Sequence, residues 1–349
     1  MTNRTPGYRH RCGRLRKGYT AVLEFVLLSL MAATASNGYS QPPDTGWKPN
    51  DNVEIIVGRQ AGGALDRFVR LVQNISREHA LIDVPVVVIN KPGGRGAIAW
   101  AYLNQHMGDG RYLMINSTEL VTDRITGLSA ISFTEVTPIA QLFNEYIVLA
   151  VKAESPLKSA TDIFERLRTN PGALTASSGS ALGSTNYLAI ALAAKAAGVD
   201  PRKLRLVTFG SAAQAVTALL GGHVDVISVS ASNALPQMQA RKLRVLAVAS
   251  RRRMEGPLAH VPTYVEQGLE SIVVNWRVIT GPPKLTAAQV SYWETVFSNV
   301  VQTAEWNQEI RKTLGSSNYK NSKETLEYLR IEEERFRPIF SELGLARKQ

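Results

Sequence analysis

Apolar, β-branched runs alternate with helical patterns along most of this sequence. The runs at 53–57 and 84–89 read as strands, and helical patterns begin soon after them, near Leu65 and Ala97. In the first helical pattern, apolar side chains recur every three or four residues and form one stripe that faces a sheet. Alternation of this kind is typical of parallel sheets, because each helix crosses back over the sheet. The pattern predicts an α/β fold.

The same reading extends to the rest of the chain. Further strands are expected at 112–115, 147–151, 174–176, 204–209, 224–229 and 243–249, and further helices at 161–169, 184–197 and 212–220. Two more helices are expected to begin at capping boxes, Thr286 with Gln289 and Asn321 with Glu324. Because 349 residues exceed what one hydrophobic core usually serves, two lobes are expected.

The first 35 residues have the layout of a secretory signal peptide. Six basic residues, the last of them Lys17, precede an apolar run from Ala21 to Ala33. This run is shorter than the roughly 20 residues that a spanning helix needs. The triplet that ends at Ala35 suits signal peptidase, so we expect cleavage after Ala35 and a periplasmic protein. Glu24 inside the run leaves an uncleaved anchor as the alternative.

Cysteine and charge narrow the class of protein further. The single cysteine, Cys12, lies in the leader, so the mature chain cannot form a disulfide, which fits a bacterial periplasmic protein with a large core. Removing the leader's six basic residues and Glu24 lowers the formal net charge from +11 to +6. The densest basic run, 251–253, reads as a solvated loop, and nucleic acid is not an expected partner.

The motifs of common enzymes are mostly missing. The five histidines are far apart and have no second ligand type at metal-binding spacing, so no metal or other cofactor is expected. Neither a nucleophile elbow nor a phosphate-binding P-loop occurs. One enzyme signature remains: Gly94, Gly96 and Ala99 fit a dinucleotide-binding loop, and Glu119 follows about 20 residues later. A Rossmann-type oxidoreductase is therefore kept as an alternative.

Four loops of small residues, each at the start of a helical pattern, form a recurring feature. They read QAGGALD, KPGGRGA, ASSGSALGST and TFGSAAQ. Small side chains let backbone N–H groups at the positive end of a helix dipole face a bound anion. Several such loops around one cleft could hold a carboxylate without an arginine. The alternative is that small residues simply make tight turns between strand and helix.

These segments resemble a known family, the Bug-type extracytoplasmic solute-binding proteins that serve as receptors for tripartite tricarboxylate transporters. IIVGRQAGGALDRFVRLV is similar to the opening strand, glycine loop and Asp-Xaa-Xaa-Xaa-Arg helix of that family, with Asp66 and Arg70 in register. VVVINKPGGRGAIA, SSGSALGSTNYLA, ALLGGHVDV and VPTYVEQGL followed by NW resemble its later motifs, in the same order. The resemblance covers about 53–343.

The resemblance implies a two-lobed periplasmic binding protein fold of type II-like α/β architecture, with the ligand in a cleft between the lobes. After the signal peptide at 1–35 and a polar linker at 36–52, it implies one lobe from 53–149 and 250–349, and a second lobe from 150–249. The expected protein is a monomeric, non-enzymatic receptor that captures a small carboxylate or dicarboxylate and delivers it to membrane transporter subunits. A receptor that presents its ligand to a signalling partner is a further alternative.

The sequence departs from the family pattern at three places. Gln60 and Ala61 stand where the family has two prolines, 208–211 replace a Pro-Tyr-Lys-Gly segment, and Val229 replaces an acidic residue. Loss of that carboxylate leaves the hydroxyls of Ser228 and Ser230 as candidate contacts, with plain strand-end serines as the alternative.

Two other candidates need separate interpretation. Asp66 is expected to cap its helix rather than to touch an anion, because a carboxylate there competes for the same N–H groups. Trp276 is expected to form a wall of the cleft, with a core aromatic as the alternative. The complete set of candidate ligand contacts is Ala61, Gly62, Gly63, Asp66, Ser178, Gly179, Ser184, Thr185, Phe209, Gly210, Ser211, Ser228, Ser230 and Trp276.

Overall fold

The predicted alternation of strands and helices is present in a computed structural model that describes Met1 and residues 46–129, 131–179 and 183–347. The strands are β1 (Val53–Val57), β2 (Val86–Asn90), β3 (Tyr112–Asn116), β4 (Thr137–Lys152), β5 (Thr175–Ser177), β6 (Arg205–Val207), β7 (Val226–Ser230), β8 (Leu243–Val248), β9 (Val274–Gly281) and β10 (Ser316–Lys320). The helices are α1 (Ala64–Glu78), α2 (Ala97–Gln105), α3 (Glu119–Thr126), α4 (Ala160–Thr169), α5 (Thr185–Ala196), α6 (Ala212–Leu220), α7 (Ala231–Gln239), α8 (Ala287–Gln302), α9 (Ala304–Lys312) and α10 (Ser322–Glu342).

The chain divides into two units, Met1–Ser40 and Gln41–Gln349, and all that follows concerns the second. The predicted signal peptide and its cleavage near Ala35 lie outside the described residues. In the described ranges, no helix is both long enough and apolar enough to span a membrane.

β1 shows why the parallel part of the sheet forms where it does. Val53, Ile55 and Val57 face α1, while Ile56 packs with Trp100 of α2, and all four strand side chains are buried. A strand covered on both faces is mostly apolar, and this is the composition of parallel strands in α/β proteins. The run 53–57 fits this description except at half-buried Glu54, which accepts a hydrogen bond from the Tyr102 hydroxyl at 2.8 Å.

The ten strands form one curled sheet with two parallel groups. The order is β2-β1-β3-β9-β4-β7-β5-β6, and β8 and β10 also pair with β4. β1 pairs in parallel with β2 and β3, and β5 pairs in parallel with β6 and β7. Each parallel group has helices on its faces, and within the sheet the long strands β4 and β9 join the two groups.

β4 belongs to both parts of the sheet. Thr137 to Tyr146 pair with β9, and Ile147 to Lys152 pair with β7 and β8. The change of partners at Tyr146 and Ile147 lies close to the boundary of 149 and 150 expected between two lobes; the assignment of lobes at these residues stays a prediction. We call the strands up to Tyr146, with β9 and β10, the first half of the sheet, and the others the second half.

The C-terminal helix, α10, packs against both halves of the sheet. α10 places Phe336 and Phe340 in the same core cluster as Val121 of α3 and Ala189 of α5. Its start carries the predicted capping box of Asn321 and Glu324, and the box of Thr286 and Gln289 starts α8. α10 therefore shares one core with a helix of each half of the sheet.

Candidate functional site

The strand registers bring the carboxyl ends of both parallel groups toward the same stretch of β4 and β9. At the end of β3, Asn116 pairs with Val278 of β9. At the end of β7, Ser230 pairs with Ile147 of β4. Since β9 runs alongside β4, with Asn275 opposite Glu145, the loops that follow the two groups approach one another across these strands. In open α/β sheets, ligands bind at such strand ends.

The first glycine loop is held by Asp66. Oδ2 of Asp66 accepts hydrogen bonds from the Gly62 N–H (2.9 Å) and from Nε of Arg70 (2.9 Å), and Oδ1 accepts one from Nδ2 of Asn90 (2.9 Å). These bonds, led by that from Arg70, lower the pKa of this buried carboxyl to about 2. The geometry supports the expected capping role, since Asp66 lies in the first turn of α1 and reaches back to the loop before it.

The N–H groups of this loop are engaged within it. Gly62 donates to Asp66, and the Gly63 N–H donates to the carbonyl of Gln60 at 3.4 Å. Gly62 needs its glycine, because its φ is +79°. Ala61 and Gly62 are exposed and Gly63 is half-buried. In this structure the pair gives the loop its shape, and a role in holding an anion stays a prediction.

The second glycine loop carries charged groups that the sequence reading did not select. Gly93, Gly94, Arg95 and Gly96 all have positive φ, a conformation that only glycine adopts freely. Arg95 makes a bidentate ion pair with buried Asp123 through Nε (2.9 Å) and Nη2 (2.7 Å). Burial raises the pKa of the Asp123 carboxyl, although the bonds from Arg95 oppose the rise.

Arg59 is the second such cation. It follows the end of β1, and its Nη2 lies 3.4 Å from Oε1 of Glu119 at the start of α3. Glu119 also accepts a hydrogen bond from the Ser117 hydroxyl. About a third of the Arg59 side chain is exposed, so its guanidinium can reach a solute. Position was the signal available in the sequence, since Arg59 lies two residues after the end of β1 and Arg95 lies in the turn between β2 and α2.

The first-half loops alone leave little room. Gly58 shows why: a Cβ there would lie 3.1 Å from the Cα of Gly96, so β1 and the start of α2 are in near backbone contact. The pocket that Arg59, Arg95, Gly96 and Glu119 line has a volume of about 10 Å³, which is about one water molecule. The first-half loops by themselves therefore do not enclose a space for a ligand of several carbon atoms.

The serine-glycine loop of the second half is tightly packed at Gly179. Its φ is +62°, and a Cβ there would lie 3.0 Å from Cγ1 of Val229 and 3.1 Å from the Cα of Ala212. The structure thus brings the end of β5, the start of α6 and β7 together. Ser178 is fully buried, Thr185 is nearly so, and the Ser184 hydroxyl caps α5 by accepting from the Tyr187 N–H at 3.3 Å.

The other loop of the second half, TFGSAAQ, is more open. Gly210 and Ser211 are exposed, and the Ser211 hydroxyl caps α6 by accepting from the Gln214 N–H at 3.3 Å. Phe209 is half-buried against the core beneath this loop. Its remaining surface faces away from that core, so the loop retains one apolar and one polar group that a ligand could meet.

Three other candidates are buried in this arrangement. The Ser228 side chain is fully buried and donates to the Asn186 carbonyl at 2.7 Å. Ser230 is 7% exposed and precedes α7 without a side-chain capping bond. Trp276 is fully buried, donates from Nε1 to Oε2 of Glu332 (3.3 Å) and packs edge-on against Tyr328. Trp276 therefore occupies the position of a core aromatic and forms no wall of a cleft in this structure.

A buried polar network lies on β4 and β9, where the two sets of loops converge. Glu145 accepts from Nη2 of Arg277 (2.6 Å), from the Ser232 hydroxyl (2.8 Å) and from Nδ2 of Asn275 (3.3 Å). Thr118, after β3, donates to Oδ1 of Asn275 at 3.3 Å. The chain of bonds runs from the first-half loops to the start of α7. We call it the Glu145 network; the sequence reading did not anticipate it.

Comparison with known proteins gives one family. A family model described as "Tripartite tricarboxylate transporter family receptor" matches residues 69–345. The Pseudomonas sp. UPF0065 protein of the tcbD-tcbE intergenic region is 31% identical over 256 residues, which are 72% of this chain and 74% of that protein.

Among the described residues there is no group of three or more acidic, histidine or cysteine side chains that could hold a metal ion.

Solved structures share the fold. The TctC solute-binding protein from Polaromonas, with no ligand, is 26% identical with a TM-score of 0.72, over 84% of this chain and 99% of its own. The R. palustris protein Rpa4515, solved with adipate, is 24% identical with a TM-score of 0.74, over 85% of this chain and 99% of its own. These likenesses confirm the expected α/β fold class of periplasmic solute-binding proteins.

Proposed function

This chain belongs to the tripartite tricarboxylate transporter receptor family, a family of solute-binding receptors, and we propose that it captures a small carboxylate or dicarboxylate for a membrane transporter of that class. The match to the family confirms the resemblance found in the sequence motifs. The finer parts of the function, namely the ligand, the transporter and the location, belong to the proposal.

The observation that carries the proposal is the convergence of the two parallel groups of strands. Their carboxyl ends, with the N-termini of α1, α2 and α3 from one group and of α5, α6 and α7 from the other, point toward the same stretch of β4 and β9. Helix N-termini favour negative charge. A dianion between the two groups would thus meet partial positive charge at both ends.

Side chains would complete this arrangement differently in the two halves. In the first half, the guanidinium of Arg59 would bind one carboxylate, since it is partly exposed and its pairing with Glu119 at 3.4 Å is loose. In the second half, the Ser211 hydroxyl and the backbone at the start of α6 would bind the other. Adipate bound to a fold neighbour supports the choice of a dicarboxylate.

The remaining parts of the proposal follow from this role. We expect export to the periplasm with cleavage near Ala35, a monomer, no catalysis, and two lobes at 53–149 with 250–349 and at 150–249. Capture would close the lobes about β4 and β9, and the closed form would be the one that transporter subunits recognise. N-terminal sequencing of the protein recovered from the periplasm tests the cleavage directly.

Titration calorimetry on residues 36–349 tests the ligand class. Citrate, malate and adipate are compared with adipamide, which keeps the shape of adipate and lacks its charge. We expect at least one acid to bind and the diamide not to bind. Arg59→Gln should weaken binding about tenfold or more, and Arg202→Gln, an exposed arginine paired with Asp200, should not. Equal binding of adipate and adipamide, or no binding of any acid, would refute the proposal.

A further inference from the structure

A separate cavity of about 960 Å³ lies away from the small-residue loops. Its lining comes from the segment after β8 and from the end of α9 with the start of β10, together with side chains of β4 and β9. None of the candidate ligand contacts borders it.

The cavity lies on the opposite face of β4 from the Glu145 network. Asn144 and Tyr146 flank Glu145 in the strand, and successive side chains of a strand point to opposite faces. The Tyr146 hydroxyl is hydrogen-bonded to that of Ser316 at 2.7 Å, which ties the β4 side of the lining to β10. A solute in this cavity is therefore separated from one held by the small-residue loops by the strands themselves.

Positive charge in the lining is largely uncompensated. Arg253 is paired with Glu266, with Nε 2.9 Å from Oε1. Arg251, Arg252 and Arg311 are exposed, and none of them makes an ion pair with a residue in the described ranges. Glu255 is the acidic residue of the lining, and it leaves a surplus of cations around the opening. Arginine at such a site favours carboxylate, sulfonate or phosphate groups.

The inner part of the lining is apolar. Ile310 and Leu314 are 2% and 5% exposed, and Met254 is 9% exposed. Half-buried Ile272 and Val274 complete this surface. A free inorganic anion would gain nothing from these side chains, whereas a hydrocarbon body would be removed from water against them. The volume also lies at the upper end of the range for small-molecule sites.

We propose that this cavity binds an organic anion with an apolar body, which is a second ligand distinct from the one between the small-residue loops. Its hydrocarbon part packs against Ile310, Leu314 and Val274. Its acidic group pairs with Arg251 and Arg311 at the opening. The site offers an apolar surface and a cationic opening. A medium-chain monocarboxylate, which has a hydrocarbon chain and one acidic group, therefore fits it better than a short dicarboxylate.

Titration calorimetry with decanoate on the mature chain tests the proposal. Decan-1-ol lacks the charge and acetate lacks the apolar body, so both should bind at least tenfold more weakly than decanoate. Arg251→Gln with Arg311→Gln should weaken decanoate binding tenfold or more. The control is Arg166→Gln with Arg202→Gln, which removes the same charge from exposed positions elsewhere and should leave the affinity unchanged.

A second pair of variants locates the bound molecule. Ser317→Trp, at an exposed lining position, fills part of the cavity without removing a charge and should also weaken decanoate binding. Arg59→Gln should leave decanoate binding intact, which separates this site from the proposed carboxylate site. Failure of decanoate to bind would overturn the proposal. So would equal binding of decan-1-ol, or an affinity unchanged by both the arginine pair and Ser317→Trp.

Discussion

Asp66 concentrates three hydrogen-bond donors on one carboxylate, and this makes the first loop sensitive to acid. Its pKa is about 2, against an ordinary value of 3.8, so the folded state binds this proton less readily than the unfolded state does. The stabilisation is therefore fully present above about pH 4 and is lost as the pH falls toward 2. Because Arg70 is half exposed, we put the contribution at about 1–2 kcal/mol.

Asp66→Asn should lower the free energy of unfolding by about that amount at pH 7, and the difference from the wild type should shrink between pH 4 and pH 2. Urea denaturation at both ends of this range measures it. Asp83→Asn is the control, because the exposed pair of Asp83 with Lys48 should contribute little. A difference that stays constant down to pH 2 would contradict this account of the loop.

Two features require glycine at position 179: its positive φ and the close packing of neighbouring atoms. Gly179→Ala should cost about 2–4 kcal/mol, since the positive φ strains alanine and the new methyl meets Val229 and Ala212 at close range. Gly198→Ala is a matched control: its φ is +75°, but nothing lies within 4 Å of the added Cβ. It should cost only about 1 kcal/mol. Similar losses of unfolding free energy in the two variants would exclude close packing as the cause.

Residues at this scale were only partly predictable. The small-residue loops were located correctly, because glycine and serine after an apolar run indicate a turn between strand and helix whatever the rest of the fold. The ion-pair partners of Arg95 and Arg59 were not predicted. Asp123 and Glu119 belong to a different βα unit, and only the fold brings them next to these arginines. The burial of Trp276 was not predicted for the same reason, since its partners Glu332 and Tyr328 lie on α10, more than 50 residues later in the chain.

At the scale of elements, the parallel strands were predicted well and the strands between the two halves were not. β1 and α6 begin and end where the sequence indicated. The first ten residues of β4, all of β9 and β10, and the helices α3, α7 and α9 were missed. In β4 and β9, the polar residues Glu145, Asn275 and Arg277 interrupt the apolar run. In a sequence, such residues indicate a loop. In the fold they are hydrogen-bonded to one another.

The Glu145 network is therefore expected to control how β4 and β9 hold together. Glu145 and Arg277 are 5% and 4% exposed, so removing one leaves the other charge buried and unpaired. Arg277→Met should cost about 3–5 kcal/mol. Adding Glu145→Gln should recover a large part of that loss, and a double-mutant cycle by urea denaturation measures the coupling.

An exposed pair supplies the comparison for this cycle. Arg337 and Glu333 on α10 form an ion pair with half of the arginine exposed, and Arg337→Met should cost less than about 1 kcal/mol. If Arg277→Met cost no more than Arg337→Met, the Glu145 network would not hold the strands together.

At the scale of the whole molecule, shared elements should make residues 46–347 unfold as one. β4 gives hydrogen bonds to strands of both halves, and one core cluster contains Trp100 of the first and Ala189 of the second. Unfolding either half removes an edge or a covering helix from the other. Differential scanning calorimetry of the mature chain should show a single transition with equal calorimetric and van't Hoff enthalpies. Two resolved transitions would show that the halves are independent.

The partners of β4 also come late in the chain. Gln141 pairs with Lys320 and Phe143 pairs with Ser317, so the first sheet half cannot be completed until Lys320 has been synthesised. Pairings between such distant residues slow folding, because a long loop must close before they form. During that time the N-terminal strands lack their last neighbours. A chain built in this order therefore cannot complete its fold until nearly all of it has been synthesised.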